Sequence, residues 1–224
     1  MAAEKNLNAP SDLSQLDKMQ NWYEENGRMI NGAVLSILAI ILLLIAYTNI
    51  YKPKQEAAAQ DAIFKAQYWF EQDSIAKALN DPGNGFLEIA NNFGNTKAGN
   101  LAKYYAGLSY FQLGDYPNAE KYLAKFNVNN DDVLGGLALG TLADAQMENG
   151  NRDAALKNYK KAANFSDNEA SSPFLLLKAG LAYDYAGKGA DAIRFLKTLE
   201  NKYPNSAEAS DAAKYLAKIE ASIQ

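Results

Sequence analysis

A chain of 224 residues with 22 basic and 26 acidic side chains carries a formal charge of −4, no cysteine and no histidine. Those counts exclude disulfides, thiolate metal sites, the commonest zinc ligand and every Ser-His or Cys-His nucleophile pair. The Lys and Arg residues are scattered among acids along the sequence, which argues against a nucleic-acid partner, because phosphate binding needs clustered cations.

The first ten residues, rich in Ala and Asn, are expected to be disordered. Pro10-Ser11-Asp12 then reads as a helix start with Ser11 as its cap, and Leu13, Leu16, Met19 and Tyr23 recur at spacings of three and four. The expectation for residues 1–28 is a tail holding a short amphipathic lead-in helix; a docking or interfacial role for that helix is the other reading.

Residues 29–51 contain no charged side chain, and at helical rise they span roughly 34 Å against a hydrocarbon core of about 30 Å. Eleven of the sixteen residues in 30–45 are Leu, Ile or Val, which outweighs the single Asn31. Trp22 and Tyr23 on one flank, with Tyr47 and Tyr51 on the other, suit the two interfaces of a bilayer. The run is longer than the core of a signal peptide, and residues 1–28 carry three basic side chains against five acids, so an uncleaved anchor is expected. Lys18 and Arg28 before the span nearly balance Lys52, Lys54 and Lys65 after it, and charge alone leaves its orientation open. Gly32, Ser36 and Ala39 form a small-residue face on which another transmembrane helix could pack.

Lys52-Pro53 predicts a kink or hinge, since proline disfavours helix at the residue before it. From 53 to 224 the chain is long enough for one domain with its own core. Residues 54–79 read as a helix with an apolar stripe of Ala57, Ala58, Ala59, Ile63, Phe64, Tyr68 and Ile75. Asp81-Pro82-Gly83-Asn84-Gly85 is a loop, and 86–93 a short helix that Gly94 terminates.

The sequence then repeats. Gly114, Gly150 and Gly187 each follow a helix and are spaced by 36 and 37 residues. Around them recur Ala106, Gly107, Tyr110, Ala119, Leu123 and Phe126; then Leu139, Leu142, Ala143, Ala155, Tyr159 and Ala162; then Leu176, Ala179, Gly180, Tyr183, Ala192, Leu196, Leu199 and Pro204. Gly or Ala where two antiparallel helices cross brings their axes close, and the large residues a turn away fill the groove toward the next pair. Asp115-Tyr116-Pro117 restarts a helix with proline where its missing N–H is harmless. These resemble tetratricopeptide repeats, at about 100–131, 136–167 and 173–204. The long connectors 127–132 and 166–172 account for a period above the usual 34. A last helix at 206–222, with Ala209, Ala212, Ala213, Leu216 and Ile219 inward and Lys214, Lys218 and Glu220 outward, is expected to cap the stack. The fold class is therefore all-α: one transmembrane helix, then an α-solenoid with a C-terminal capping helix.

Repeats of this type bind partners on the surface lined by the first helix of each pair. The resemblance places Tyr104, Leu108, Phe111, Asp144, Met147, Leu177, Leu181 and Tyr185 there. That surface is apolar and aromatic with one carboxylate, and lacks the basic residues and asparagines with which chaperone-tail clamps of this superfamily hold a terminal carboxylate. An apolar helix or extended hydrophobic segment fits it better than a charged tail. Whether it is an open groove or core covered by flanking helices stays open at this point. No enzyme is expected: pairs such as Asp131 and Asp132, or Asp144 and Glu148, fall at helix starts or along helix faces, and Gly83-Asn84-Gly85 lacks the Gly-Lys of a phosphate loop. No cofactor, metal or small-molecule substrate is implied.

Asp73-Ser-Ile-Ala-Lys-Ala-Leu-Asn80, Gly85-Phe-Leu-Glu-Ile89, Gly94-Asn-Thr-Lys-Ala-Gly-Asn-Leu-Ala102 and Tyr104-Tyr-Ala-Gly107, behind a single N-terminal anchor, resemble the bacterial YfgM-type tetratricopeptide family. That resemblance implies an inner-membrane anchor, a cytoplasmic N-terminus and periplasmic repeats. It also implies association with the Sec translocon and with a membrane-anchored periplasmic chaperone of the prolyl-isomerase type. An envelope scaffold organising outer-membrane or peptidoglycan machinery is the alternative.

Overall fold

The structure, a computed structural model, describes residues 11–128 and 131–223, with side chains from residue 15 to 221. Expectations about residues 1–10 and the cap at Ser11 lie outside what it describes. Among the described residues there is no strand. Two compact units are present, residues 1–54 and 55–224.

The first unit holds α1 (Ser11–Ala46), one helix rather than a separate lead-in followed by a span. Nothing between the two parts breaks it, because Asn26-Gly27 costs only about 1 kcal/mol of helix propensity and the Asn26 amide donates back to the Trp22 carbonyl. Its apolar side chains from Val34 to Ile45 are exposed within the protein, and the helix is long and apolar enough to cross a bilayer. The hydroxyl of Ser36 donates to the Gly32 carbonyl at 2.8 Å and that of Thr48 to the Leu44 carbonyl at 2.9 Å, so neither is left unpaired in an apolar surrounding.

At Lys52, where a kink or hinge was expected, the chain stays helical. A π-helical turn, Tyr47–Tyr51, lies before it, the Lys52 N–H donates to the Tyr47 carbonyl, and Lys52 keeps helical angles (φ −60°, ψ −44°). A wider turn at that point accommodates the N–H that Pro53 lacks and the bulk of its ring. Pro53 sits in the first turn of α2 (Lys52–Glu71), where the ring is tolerated.

The second unit begins as α2 continues. The single helix expected over 54–79 is two, α2 and α3 (Ile75–Asn80), because the chain turns at Asp73, whose φ of 57° ends the first. The buried face of α2 is Ala59, Ala62, Ile63 and Ala66, whereas Ala57, Ala58, Phe64 and Tyr68 point outward. Small residues let this helix lie close on α4 (Phe86–Asn92) and α5 (Lys97–Gln112), and Phe70, Phe86 and Tyr105 close the junction. α4 ends with Phe93 as its cap, whose N–H donates to the Ile89 carbonyl, and Gly94 follows directly without a left-handed conformation.

The start of α5 is held from two directions. Glu56 on α2 accepts the N–H groups of Lys97 (2.7 Å) and Ala98 (2.9 Å), and Thr96 Oγ1 accepts that of Gly99 (2.8 Å). Three of the four orphan donors of that helix are thereby satisfied by side chains.

Three helix pairs follow: α5 with α6 (Tyr116–Leu123), α7 (Leu134–Glu148) with α8 (Arg152–Ala163), and α9 (Ser172–Tyr185) with α10 (Gly189–Lys202). Gly114, Gly150 and Gly187 have φ between 72° and 79°, the left-handed cap that the repeat predicts. Asp115 caps α6, and Asp131 accepts the Val133 and Leu134 N–H groups ahead of α7, as its position in the sequence suggested. At the crossings, a Cβ on Gly107 would lie 2.5 Å from Leu123 and one on Gly180 2.6 Å from Leu196. In the second repeat Ala143 faces the same cluster as Tyr159.

α11 (Ala207–Ile223) buries Ala209, Ala212, Leu216 and Ile219; Ala212, Leu216 and Ile219 join the core formed by α7 to α10. Ala213, expected inward, is exposed, since a helix in contact along one side buries a narrower stripe than the sequence pattern allowed.

Ser109 on α5 is fully buried and its hydroxyl has no hydrogen-bond partner among the described residues. Replacing it by alanine removes a desolvated, unsatisfied group, so Ser109→Ala is expected to stabilise the protein by about 1 kcal/mol. Urea denaturation reads this as a higher midpoint at unchanged slope, and a lower midpoint counts against it.

Candidate functional site

The first helices α5, α7 and α9 carry the eight residues assigned to the binding surface, and their environments differ. Tyr104 is only 8% exposed and packs on Phe126 and Tyr105, so it belongs to the core, a correction to its place on the groove. Its phenol sits above its ordinary pKa, chiefly through burial. The cause is the next helices: Ala119, Leu123 and Phe126 of α6 and the turn after it, with Ala138, Leu142 and Ala145 of α7, share one core cluster with Tyr104. Leu108 and Phe111 are half-buried against the same middle cluster, with Phe111 edge-on to Tyr116 at 5.4 Å. Leu177 and Met147 are half-buried against the C-terminal cluster, and Leu181 is also half-exposed.

Asp144 is not a free carboxylate. It accepts the Tyr159 hydroxyl at 2.6 Å and forms an ion pair with Lys178, which also lies 5.3 Å from the Phe174 ring. Tyr159 is raised well above the ordinary phenol range by burial first, then by the hydrogen bond to Asp144 and its charge. Both members of the pair are less than a third exposed, so removing either alone would strand the other in a poorly solvated place. The arrangement joins α7, α8 and α9 and leaves the middle of the surface electrically neutral.

The open part lies toward the ends of α7 and α9. Tyr185 is 73% exposed, the Arg152 guanidinium stands 5.5 Å from its ring, and these two with Met147, Glu148 and Gly150 line an open cleft of about 520 Å³. Arg152 was not among the residues the sequence singled out. The signal was present, since Arg152 is the first residue of α8, two places after the left-handed Gly150, where the chain returns beside the end of α7.

A second cleft, of about 350 Å³, opens on the outer face of α2, where Phe64, Tyr68 and Trp69 meet Lys65, Lys77, Asp81 and Asn84. Lys77 Nζ stands 3.3 Å from the Trp69 ring centroid and occupies part of that aromatic face.

The first-helix surface presents a soft thioether and an exposed phenol beside half-exposed leucines, and Arg152 of α8 borders it; these are residue types over-represented in protein interfaces. Among the described residues no group of His, Cys, Asp or Glu is arranged to hold a metal ion. Gly32, Ser36 and Ala39, in the other unit, lie exposed along α1, with nothing within 4 Å of a Cβ added at Gly32.

Comparison with known proteins bears on the fold. A tetratricopeptide repeat-like domain model matches residues 20–170, and a tetratricopeptide repeat model matches residues 175–206. No curated protein matches the chain. Among solved structures, nearly identical TPR-like repeats assigned to a kinesin light chain from Podosopora anserina align with a TM-score of 0.50, at 12% identity over 74% of this chain and 96% of that one. A single-substitution form of the same repeats aligns with a TM-score of 0.57, at 13% identity over 73% of this chain and 86% of that one. At such identities the likeness is one of fold. With a helix-pair register recurring three times and a repeat model spanning most of its length, the chain belongs to the tetratricopeptide repeat-like domain family.

Proposed function

We propose that this protein is a non-catalytic, membrane-anchored interaction module whose first-helix surface receives apolar polypeptide segments. The observation that carries the reading is the cleft at the ends of α7 and α9, where Tyr185 projects beside Met147 and Arg152 on a rigid repeat scaffold. An exposed tyrosine already ordered by a guanidinium loses little freedom on binding, and a flexible thioether adapts to varied apolar side chains.

The span within α1 supplies the anchor, inserted once in a bacterial inner membrane with the N-terminus cytoplasmic and the repeats periplasmic. The partners are subunits of the Sec translocon and a membrane-anchored periplasmic chaperone, and the role is to recruit or assist that chaperone for newly translocated chains. Support for this finer assignment is the motif resemblance given above. The face of Gly32, Ser36 and Ala39 suits contact with another transmembrane helix, because its one hydroxyl is satisfied within the helix and its side chains are small.

The test is copurification of the full chain in mild detergent beside a fragment of residues 53–224. Translocon and chaperone subunits are expected with the full chain alone. Outer-membrane or peptidoglycan factors retained equally by the fragment would instead establish the envelope-scaffold alternative. Within the full chain, combining Tyr185→Ala with Met147→Ala is expected to lower crosslinking to apolar client segments at least tenfold, in keeping with the loss of an interface anchor. Unchanged crosslinking moves the binding surface elsewhere. A reporter that is active only in the cytoplasm, fused after Gln224, reads the topology, and its activity would reverse the orientation.

A further inference from the structure

The second helices of the three pairs are equivalent, so their outward residues can be compared position by position. Aligning Ala119, Ala155 and Ala192 puts Lys121, Lys157 and Arg194 in one row and Lys125, Lys161 and Thr198 in another, with Ala124, Lys160 and Lys197 between them.

On α10 the cations are neutralised. Arg194 pairs with Asp191 at 2.8 Å, Lys197 with Glu220 at 2.8 Å, and Lys202 with Asp167 at 2.7 Å. Lys121, Lys125, Lys157, Lys160 and Lys161 have no such acid within ion-pair distance among the described residues, and all five are exposed. Glu120, which precedes Lys121, directs its carboxylate instead at the side-chain amides of Gln146, Asn149 and Asn151. These two helices and the turn after α6 thus expose five lysines, Arg152 being turned to the Tyr185 cleft, on a chain whose net charge is −4. Lys103 of α5 adds a sixth cation nearby, its ammonium held below its ordinary pKa by burial and then by the charge of Lys125.

What such a face binds follows from what it lacks. Among the described residues, neither α6 nor α8 exposes a large apolar side chain. A protein interface needs buried anchors and is depleted in lysine. A sheet of anionic lipid headgroups needs only accumulated positive charge and no pocket.

We propose that the outward face of α6 and α8 is an electrostatic docking surface for anionic lipid headgroups. The proposal rests on the reading of the chain as membrane-anchored, which keeps a bilayer always within reach. Each lysine brought to such a surface multiplies the affinity by about fivefold, and the effect fades as salt shortens the screening length.

The experiment uses residues 53–224, which contain all three core clusters and so hold their own packing. Without the span, failure of the anchor reading cannot affect the outcome. Cosedimentation is measured with vesicles of phosphatidylcholine alone and with one third phosphatidylglycerol. Binding is expected only to the anionic vesicles, to fall steeply with salt, and to drop at least a hundredfold when Lys121, Lys125, Lys157, Lys160 and Lys161 are all changed to Gln. A control changing Lys188, Lys197, Lys202, Lys214 and Lys218 to Gln is expected to retain most of the binding. Circular dichroism confirms that both variants fold; a fivefold variant that does not is replaced by Lys157→Gln with Lys161→Gln, expected to lose at least tenfold. Equal loss in the two sets, no binding to anionic vesicles, or tighter capture by a soluble poly-glutamate chain than by vesicles overturns the proposal.

Discussion

Gly99→Ala is expected to cost about 3 kcal/mol or more, well above the usual price of adding a methyl group to a helix. A Cβ at this position would lie 1.8 Å from the Phe93 carbonyl oxygen and 2.3 Å from its carbon, and both are backbone atoms that no side-chain rotation can remove. That carbonyl is itself fixed, accepting the Thr96 N–H at 2.8 Å and the Thr96 hydroxyl at 2.7 Å. The first turn of α5 has no freedom to retreat either, because Glu56 holds the Lys97 and Ala98 N–H groups and Thr96 holds that of Gly99 itself. Relief therefore requires breaking several hydrogen bonds together. For a fragment of residues 53–224 the expected fall in melting temperature is roughly 6–12 °C. A variant that melts within a degree of the parent would show that the α4–α5 turn is far softer than its bonding implies.

Phe86→Ala is expected to cost about 3–5 kcal/mol, the range for deleting a fully enclosed aromatic ring. Phe86 has no exposed surface and stacks on Tyr105, with centroids 5.0 Å apart and planes 9° from parallel; Phe70 meets both rings edge-on. One ring from each of α2, α4 and α5 makes this cluster, so its loss unties three helices at once. In a solenoid the damage should stay near its source, because each unit packs chiefly on its neighbours. Hydrogen exchange on the variant is expected to quicken in α2 to α5 and stay near parental rates in α9 to α11. Uniform acceleration would mean that the stack unfolds only as a whole.

Periodic features were legible in the sequence because the repeat states them three times. Gly114, Gly150 and Gly187 revealed their left-handed caps, and Ala119, Ala155 and Ala192 their buried crossings, from spacing alone. The three helix pairs and the closing helix followed from those positions. Features that join different repeats were not legible. Asp144 looked like a lone carboxylate in an apolar surface, since its partner Lys178 lies 34 residues later on another helix. Tyr104 looked like a groove residue because its register matched, whereas its packing against α6 and α7 determines its burial. Arg152 was passed over although it stands two places after Gly150, because exposed arginines at helix starts are commonplace. Even the lysines of α6 and α8, dispersed among acids in linear order, form rows only when the repeats are superposed. Nor was the helical conformation of Lys52 legible: the preference against helix before proline is statistical, and one wider turn ahead of Pro53 accommodates the ring.

The closure of the stack at both ends has a consequence for assembly. At one end Ala59, Ala62, Ile63 and Ala66 of α2 share a core with α4 and α5, and at the other Ala212, Leu216 and Ile219 of α11 share one with α9 and α10. Repeat arrays with a bare terminal face can grow by adding another molecule's first repeat to their last, giving open filaments. Here α2 and α11 cover the outer faces of the first and last helix pairs, as the ends of a polymer are covered when it is quenched, so copies brought together find no bare repeat face on these two pairs on which to stack.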